Sequence, residues 1–515
     1  MSAEQTSDIA DHTPVIVAAG QYVERIAGDA APPIHGPMHM IARAAQNALR
    51  EVDVDASHID SIAIVRLFSD SAPAWRSPFG GSDNPPASVA ARIGAAPAHH
   101  IYSHTGGTAP LQLLLEMMAD IARGERDMVL LAGGEAIANQ RHALRQGLEA
   151  DWNESFDLPL DNRDFDKPFA SRAEIHSGML LPAHYYALIE TRQAHLLGHS
   201  REQHRRYMAC MMAPFSAVAA DNPYAQQRTR YSVDELAASS RDNYPVSLPL
   251  TRRLVAQDAV NQGAALLLTS ARRARELGIA PQRWVYVAAY AEGEDRVLSR
   301  REEPGRSAAM AAVFDAVLDG IEGTAADMDP LDLYSCFPCA VHAACEALEL
   351  PTDGSRALTV TGGLPYFGGP GNNYSMHALA EMVWRLRGAG TRALVTANGG
   401  LLSKHAAAVL STQASAAAAL DWRHWQPPVV APESIAQRPE CEHPTAGRVI
   451  SYTVIARRDK QDLGVVLCED AGGARFLASS EQPGALATLD AETVIGREVA
   501  VSAGERGHRF AFADG

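Results

Sequence analysis

The sequence predicts an α/β fold in two halves of similar rhythm, with an insert in the first half and a small all-β unit at the end. Three observations carry this. Short apolar runs ending in glycine recur along the chain: PVIVAA before Gly20, MVLLAGG, ALTVTGG and RALVTANGG. Continuous apolar runs of this length are how strands buried on both faces read. Helical stretches lie between them. After the Pro-rich crossing WRHWQPPVVAPESIAQRPECEHP the pattern changes to short alternating runs.

Taken in order, residues 14–19 read as a buried strand. HMIARAAQNALREVDVD (39–55) has helical periodicity, and SIAIVRLF (61–68) is the next strand. TAPLQLLLEMMADIARG (108–124) reads as a helix so apolar that it must be buried. GERDMVLLAGGE (124–135) gives turn, strand and paired glycines. Residues 145–255 differ: they are rich in Arg, His, Tyr, Asp and Pro, with LLPAHYYALIETRQAHLLG the clearest helix, and read as an inserted loop domain. GAALLLTSARRARELG (263–278) returns to strand and helix. QRWVYVAAYAEG then reads as strand, GRSAAMAAVFDAVLDGIEG as helix and MDPLDLYSC as strand then loop; ALTVTGG and TRALVTANGG are further strands. GRVISYTVIARR, LGVVLCEDAGGARFLASS and REVAVSAGERGHRFAF form the terminal β unit. The expected domains are 12–280 (with the insert at 145–255), 281–424 and 425–515.

Composition narrows the function classes. The 515 residues carry a formal net charge of −16, which argues against a non-specific nucleic-acid binder. Lysine is confined to Lys167, Lys404 and Lys460, so arginine supplies the cationic surface, with a local patch at REQHRRYMA. Six cysteines are too few for a disulfide scaffold and read as thiols of a cytoplasmic protein. The acidic start MSAEQTSD lacks the basic region of a leader, and no apolar run is long enough to span a bilayer.

The stretch LDLYSCFPCAVHAACEALEL concentrates Cys336, Cys339, His342 and Cys345. The ligand types suit zinc, but on a helix Cys336 and Cys345 point about 180° apart, so no metal site is expected. A CxxC redox pair, a catalytic thiol and a pocket-shaping segment are the other readings. VTGGLPYFGGPGNNY carries two glycine pairs and then Asn372 and Asn373, either of which can cap a helix or hydrogen-bond a carbonyl. SHTGGTAP brings Gly106 and Gly107 to a helix start, with Thr108 as a cap.

With these motifs in order, the chain resembles the thiolase superfamily, in particular the sterol-carrier-protein-type thiolases and the type 1 thiolase-like proteins of actinobacteria. The likeness covers about residues 12–420, through TPVIVAAGQ, SHTGGTAP, GERDMVLLAGGEAI, DLYSCFPCAVHAACEALEL, VTGGLPYFGGPGNNY and LVTANGGLLSKHA. It implies a duplicated five-layered αβαβα core with an inserted loop domain. A thiolase uses a nucleophilic cysteine at a buried helix start; the match here is Ser103, beside His104. In the next motif Tyr334 takes the first polar position, Ser335 the acidic one and Cys336 the third. Gly369 replaces the activating histidine, Thr396 the second cysteine, and Asn398 the glycine that follows it.

What the resemblance implies is therefore a degenerate member: a CoA or acyl-CoA binder with no or altered acyl-transfer chemistry. Alternatives are an active acyl-CoA C-acyltransferase, a retro-aldolase-type lyase and a non-enzymatic scaffold. Tyr334 is the first catalytic candidate, since a tyrosine stands in this motif in lyase-like relatives. Ser103, His104, Thr396 and Asn398 complete the catalytic set. Gly106, Gly107, Ser335, Cys336, Gly369, Asn372 and Asn373 shape the pocket, and Arg205, Arg206 and Arg230 are candidates for the CoA diphosphate. No bound cofactor other than CoA as ligand or substrate is expected. The residues after 425 resemble an extra domain of type 1 proteins, which implies a monomer, with that domain available to a protein partner.

Overall fold

The structure, a computed structural model, describes residues 9–26, 34–163, 169–388, 392–417, 420–491 and 493–512. Lys167 and most of the first ten residues, read above for charge and leader signals, lie outside the described residues.

The first half runs β1 (Pro14–Val23), α1 (Pro37–Val52), β2 (Ser61–Ile64), α2 (Pro85–Ile93), β3 (His99–Tyr102), α3 (Ala109–Arg123), β4 (Met128–Ala136) and α4 (Ile137–Gln146). An insert follows: β5 (Asp161–Asn162), α5 (Arg172–His176), α6 (Pro182–Leu196), α7 (Arg201–Asp221), α8 (Val233–Ala237), β6 (Pro245–Ser247) and β7 (Leu250–Thr251). β8 (Asn261–Ser270) and α9 (Ala271–Glu276) close this half. The second half holds β9 (Tyr286–Glu294), α10 (Ala308–Asp319), β10 (Leu331–Asp332), α11 (Pro338–Ala347), α12 (Tyr374–Gly388), β11 (Arg392–Gly399) and β12 (Lys404–Ser411).

The two sheets repeat one plan. The first has the order β1-β8-β4-β2-β3-β5 and the second β10-β11-β12-β9, joined by β13 (Val429–Val430). β1-β8-β4-β2 and β9-β12-β11-β10 each pair antiparallel, antiparallel, then parallel. The predicted duplication of rhythm is thus a duplication of strand order. α3 and α12 each touch strands of both sheets. That explains why α3 has little polar surface: Leu111, Leu113, Leu114, Met117 and Met118 are all buried.

Two expectations change. ALTVTGG (357–363) is not a strand. It lies beside β10, where Leu333 N donates to Leu358 O (3.0 Å), but the buried Asp332 carboxylate collects the N–H groups of Val360 (2.9 Å) and Thr361 (3.1 Å) and the hydroxyl of Thr359 (2.8 Å). Backbone donors taken by a side chain cannot build a ladder. The terminal unit is not all-β either. β14 (Ala446–Ile455), β15 (Leu463–Glu469), β16 (Arg475–Ser480), β17 (Glu498–Ala503) and β18 (His508–Phe512) are joined by a helix, Pro483–Ala491, between the third and fourth strands. Leu489 of that helix is fully buried, and Leu486 nearly so, under the barrel. Pairings β14–β15–β16–β18–β17–β14 close the ring, with β16 and β18 parallel. This is the connectivity of an oligonucleotide/oligosaccharide-binding barrel.

The barrel is tied to the insert. β6 pairs with β14 at Ile455↔Ser247, Ser451 Oγ donates to Leu188 O (2.6 Å) and Arg201 donates to Leu489 O (2.8 Å). Among the described residues no helix is long and apolar enough to cross a membrane.

Candidate functional site

The glycine-rich motifs meet where the two sheets face each other. β10 is only two residues long, so the chain leaves the sheet at Leu333 and presents Tyr334 beside β11, its N–H donating to Thr396 Oγ1 (2.8 Å). The Tyr334 ring packs edge-on against Tyr374 (5.3 Å, 87°) and reaches the start of α3. A Cβ on Gly107 would stand 2.5 Å from the Tyr334 hydroxyl and would collide with Asn398 O. Glycine is required at 107 because the Asn398 carbonyl and the Tyr334 phenol together fill that volume. Gly107 O accepts from Ser375 Oγ (3.1 Å), which anchors the turn to α12. Burial pushes the Tyr334 hydroxyl well above the usual phenol range, with the neighbouring Cys336 adding to the shift. The group is therefore a proton donor near neutrality, not a phenolate base.

Behind Asn398 runs a buried polar chain. Asn398 and His405 face each other across β11 and β12, with His405 Nδ1 2.9 Å from Asn398 Oδ1. His405 Nε2 stands 2.9 Å from Ser307 Oγ, which donates to Asp295 Oδ2 (2.7 Å). Burial pulls His405 down to about 3, so the imidazole is neutral. Thr396 has its hydroxyl oxygen engaged by the Tyr334 backbone.

The GGPGNNY loop approaches from the opposite side. Gly369 N donates to Gln257 O (2.8 Å); a Cβ there would meet only ordinary contacts, the nearest at 3.5 Å. Gly371, at φ +56°, lies against the carboxylate of Glu135. Neither asparagine caps α12 through its side chain. Asn372 Nδ2 donates to Arg66 O (2.9 Å) and Ser71 Oγ (3.0 Å). Both amide atoms of Asn373 are buried and have no hydrogen-bond partner among the described residues, as is the case for Thr105 Oγ1. Such groups can take a hydrogen bond from a water or a ligand.

Ser103 lies just after β3, four positions before Gly107. Its Oγ accepts from Arg66 N (2.9 Å) and donates to His104 O (2.7 Å), while its carbonyl accepts from Arg66 Nε (2.8 Å). Its hydrogen bonds are spent on holding Arg66; His104 is half-buried beside it. Gly106 has φ +145° and packs against Gly399. Thr108 precedes α3 but makes no cap bond, donating instead to Gln112 Oε1 (3.3 Å).

The thiols belong to the core. Cys336 precedes α11, and burial pushes it up to about 12. Cys339 opens α11, its N–H donating to Glu190 Oε2 (2.8 Å), and Cys345 lies in the helix interior, raised to about 12. The arginines are elsewhere. Arg206 and Arg230 form exposed ion pairs with Asp234 (2.9 Å) and Asp221 (3.1 Å). Arg205 is near the start of α7, about 15 Å along the helix from Phe215, which packs against Gly363 at the centre.

Sequence reasoning missed Arg66, Glu135 and Asp332, each an isolated charge inside a strand or loop motif. Arg66 stacks over Tyr102 (4.2 Å) and, with Asp70, Ser71 and Trp75, lines a groove of about 960 Å³. A neighbouring cavity of about 270 Å³ has Asp70 in common and adds Glu135, His35, His39 and Trp152. Burial raises Glu135 to about 8, although its carboxylate accepts from Phe68 N (2.7 Å).

Structural comparison finds this architecture in known proteins. A monomeric SCP2-thiolase-like protein type 1 from Mycobacterium smegmatis is 31% identical, with a TM-score of 0.79 over 98% of this chain and 100% of that one. The Ltp2-ChsH2(DUF35) aldolase shares the fold at 18% identity and a TM-score of 0.56, covering 78% of this chain and 98% of that one. Human mitochondrial 3-ketoacyl-CoA thiolase in complex with CoA does so at 16% identity and a TM-score of 0.53, covering 78% and 99%. No family model matches the sequence, and no curated protein does.

Proposed function

Since the chain belongs to the thiolase superfamily as an SCP2-thiolase-like protein, we propose that it binds CoA or an acyl-CoA without cysteine-based acyl transfer. The observation that carries this is the Tyr334 hydroxyl standing 2.5 Å from the missing Cβ of Gly107. Gly107, at the start of the buried α3 and facing Asn398, has the surroundings that the resemblance assigned to the nucleophile; Ser103 is occupied with Arg66. Either assignment leaves the helix start without sulfur. Gly369 offers no imidazole, the Thr396 oxygen is engaged, and the Cys336 thiol is held protonated. Covalent acyl transfer needs an activated nucleophile and a partner base, and this arrangement supplies neither.

What remains suits recognition of a polarised carbonyl. A neutral phenol at a helix start can donate to a thioester oxygen, and the unspent amide of Asn373 can hold a second polar group. The same phenol supports a second reading, a retro-aldol lyase in which Tyr334 donates to the oxygen of a developing thioester enolate; an aldolase is among the proteins sharing the fold. In that reading the base is another group, because Tyr334 keeps its proton. We further infer a monomer whose barrel is open to a protein partner. β5 covers part of the outer edge of β3, which removes hydrogen-bonding edge from a strand-to-strand dimer contact.

Calorimetric titration with CoA, acetyl-CoA and a long-chain acyl-CoA tests binding. Saturable binding of at least one, with no CoA release from acetyl-CoA or acetoacetyl-CoA, is the expected result. Failure of all three ligands removes the CoA reading. Turnover of a β-hydroxyacyl-CoA that disappears in Tyr334→Phe selects the lyase. Unchanged turnover in that variant removes Tyr334 from the mechanism.

A further inference from the structure

No metal site is expected from the cysteine stretch, yet the fold brings another set of ligand-type residues together beside the cavity that holds Asp70 and Glu135. Glu24 follows β1, His35 precedes α1 and His39 lies in its first turn. One ligand atom from each residue lies within 4.8 Å of the others, and all three residues are half-buried. His35 Nδ1 is 2.7 Å from Glu24 Oε2, and the two imidazoles stack at 3.8 Å with planes 7° apart.

An ion pair accounts for His35 and Glu24 alone. It does not account for the second imidazole or for the frame behind the carboxylate. Asn139 Nδ2 donates to Glu24 Oε1 (2.8 Å) and to His35 O (2.9 Å). Asn261 Nδ2 donates to Asn139 Oδ1 (2.8 Å) and to Glu24 O (3.2 Å), and Asn139 N donates back to Asn261 Oδ1 (2.9 Å). Both asparagines are almost completely buried. Fixing a ligating carboxylate from behind is what supporting residues do in metal sites. His35 and His39 also line the 270 Å³ cavity that contains Asp70 and Glu135, so an ion held by the three would keep one face toward water or a ligand. Tyr22 meets His39 edge-on (6.1 Å), and Arg43 lies over the Tyr22 ring (5.4 Å). Arg92, across the cavity, is paired with Glu154.

We propose that Glu24, His35 and His39 form a site for a divalent transition ion of the Zn²⁺ class. Two imidazole nitrogens and one carboxylate oxygen, with a fourth position open, match the donors of an accessible rather than a closed zinc site. Metal–ligand bonds of about 2.0–2.2 Å require the donors to draw together and one imidazole to turn out of the parallel stack, since each ring must hold the ion in its own plane. The site stands independently of the CoA reading.

Co²⁺ titration of the chelator-dialysed full-length protein, followed by visible absorption, tests it. One equivalent should bind saturably, be displaced by Zn²⁺, and give no sulfur-to-cobalt charge-transfer band. His35→Gln and His39→Gln should each weaken binding at least about tenfold, and Asn139→Ala about tenfold or more, with unchanged circular dichroism. Should those variants misfold, anomalous scattering from Zn²⁺-soaked wild-type crystals decides: the peak belongs between Glu24, His35 and His39. No saturable binding, a thiolate band, unaffected binding in folded variants or a peak elsewhere would overturn the proposal.

Discussion

The hydroxyl of Tyr334 stands 2.5 Å from the point where Gly107 would carry a Cβ, so the two residues are mutually exclusive occupants of one volume. Gly107→Ala is expected to destabilise the fold by about 2–3 kcal/mol, as overpacking of a close-packed core does. In a Tyr334→Ala background the penalty should shrink without vanishing, because the backbone carbonyl of Asn398 still crowds the site. Urea denaturation of both single variants and the double variant measures this coupling. Additive effects would mean that the phenol does not occupy that volume.

Thiol chemistry should be silent in the folded state. Cys336, Cys339, Cys345 and Cys468 are buried, and burial holds all four above their ordinary range. Iodoacetamide at pH 8 is expected to label only Cys210 and Cys441, the two half-exposed thiols, and to reach all six after unfolding. Peptide mapping by mass spectrometry reads the result; rapid native labelling of Cys336 would restore it as a nucleophile.

Stability should depend on pH through Glu135. The folded carboxyl keeps its proton up to about 8, whereas a freely solvated one titrates near 4.5. Between these values the folded state binds more protons, so stability is full below about 4.5 and falls as pH rises toward 8. The loss is at most on the order of 4 kcal/mol. Glu135→Gln keeps an acceptor for Phe68 N–H and should flatten this slope. An equally steep pH dependence in the variant would assign the effect elsewhere.

Glu190 joins three helices from a fully buried position: Oε1 lies 2.8 Å from His204 Nε2 on α7, and Oε2 accepts from Cys339 N (2.8 Å) on α11. Glu190→Ala strands both partners in the interior and is expected to cost about 3–5 kcal/mol. Chemical denaturation checks it. A cost below about 1 kcal/mol would mean water replaces the carboxylate.

Much of the fold was legible because apolar runs announce buried strands. PVIVAA, MVLLAGG and RALVTANGG became strands because neighbouring strands pair with their backbone along its length, while ALTVTGG reads the same and fails because the Asp332 carboxylate takes two of its N–H groups. The helix inside the terminal barrel was missed because GALATLDA is short and flanked by strand-like runs. At the site, the glycines were legible as close approaches, but what approaches them was not. Ser103 was matched to the nucleophile by its place in SHTG, yet its hydroxyl faces Arg66. His35 and His39 sit one helical turn apart, an unremarkable spacing until Glu24 arrives from another element.

By itself the sequence determined the chemical inventory: which groups lie along the chain, where glycine permits contact, and that no cysteine opens α3. That much is local, since residue type and periodicity fix polarity and backbone preference. Only the tertiary structure decided which groups share a volume, because Tyr334 and Gly107, or Glu24 and His39, are brought together by sheet order and helix docking. Those depend on packing summed over the whole core, which no local window contains.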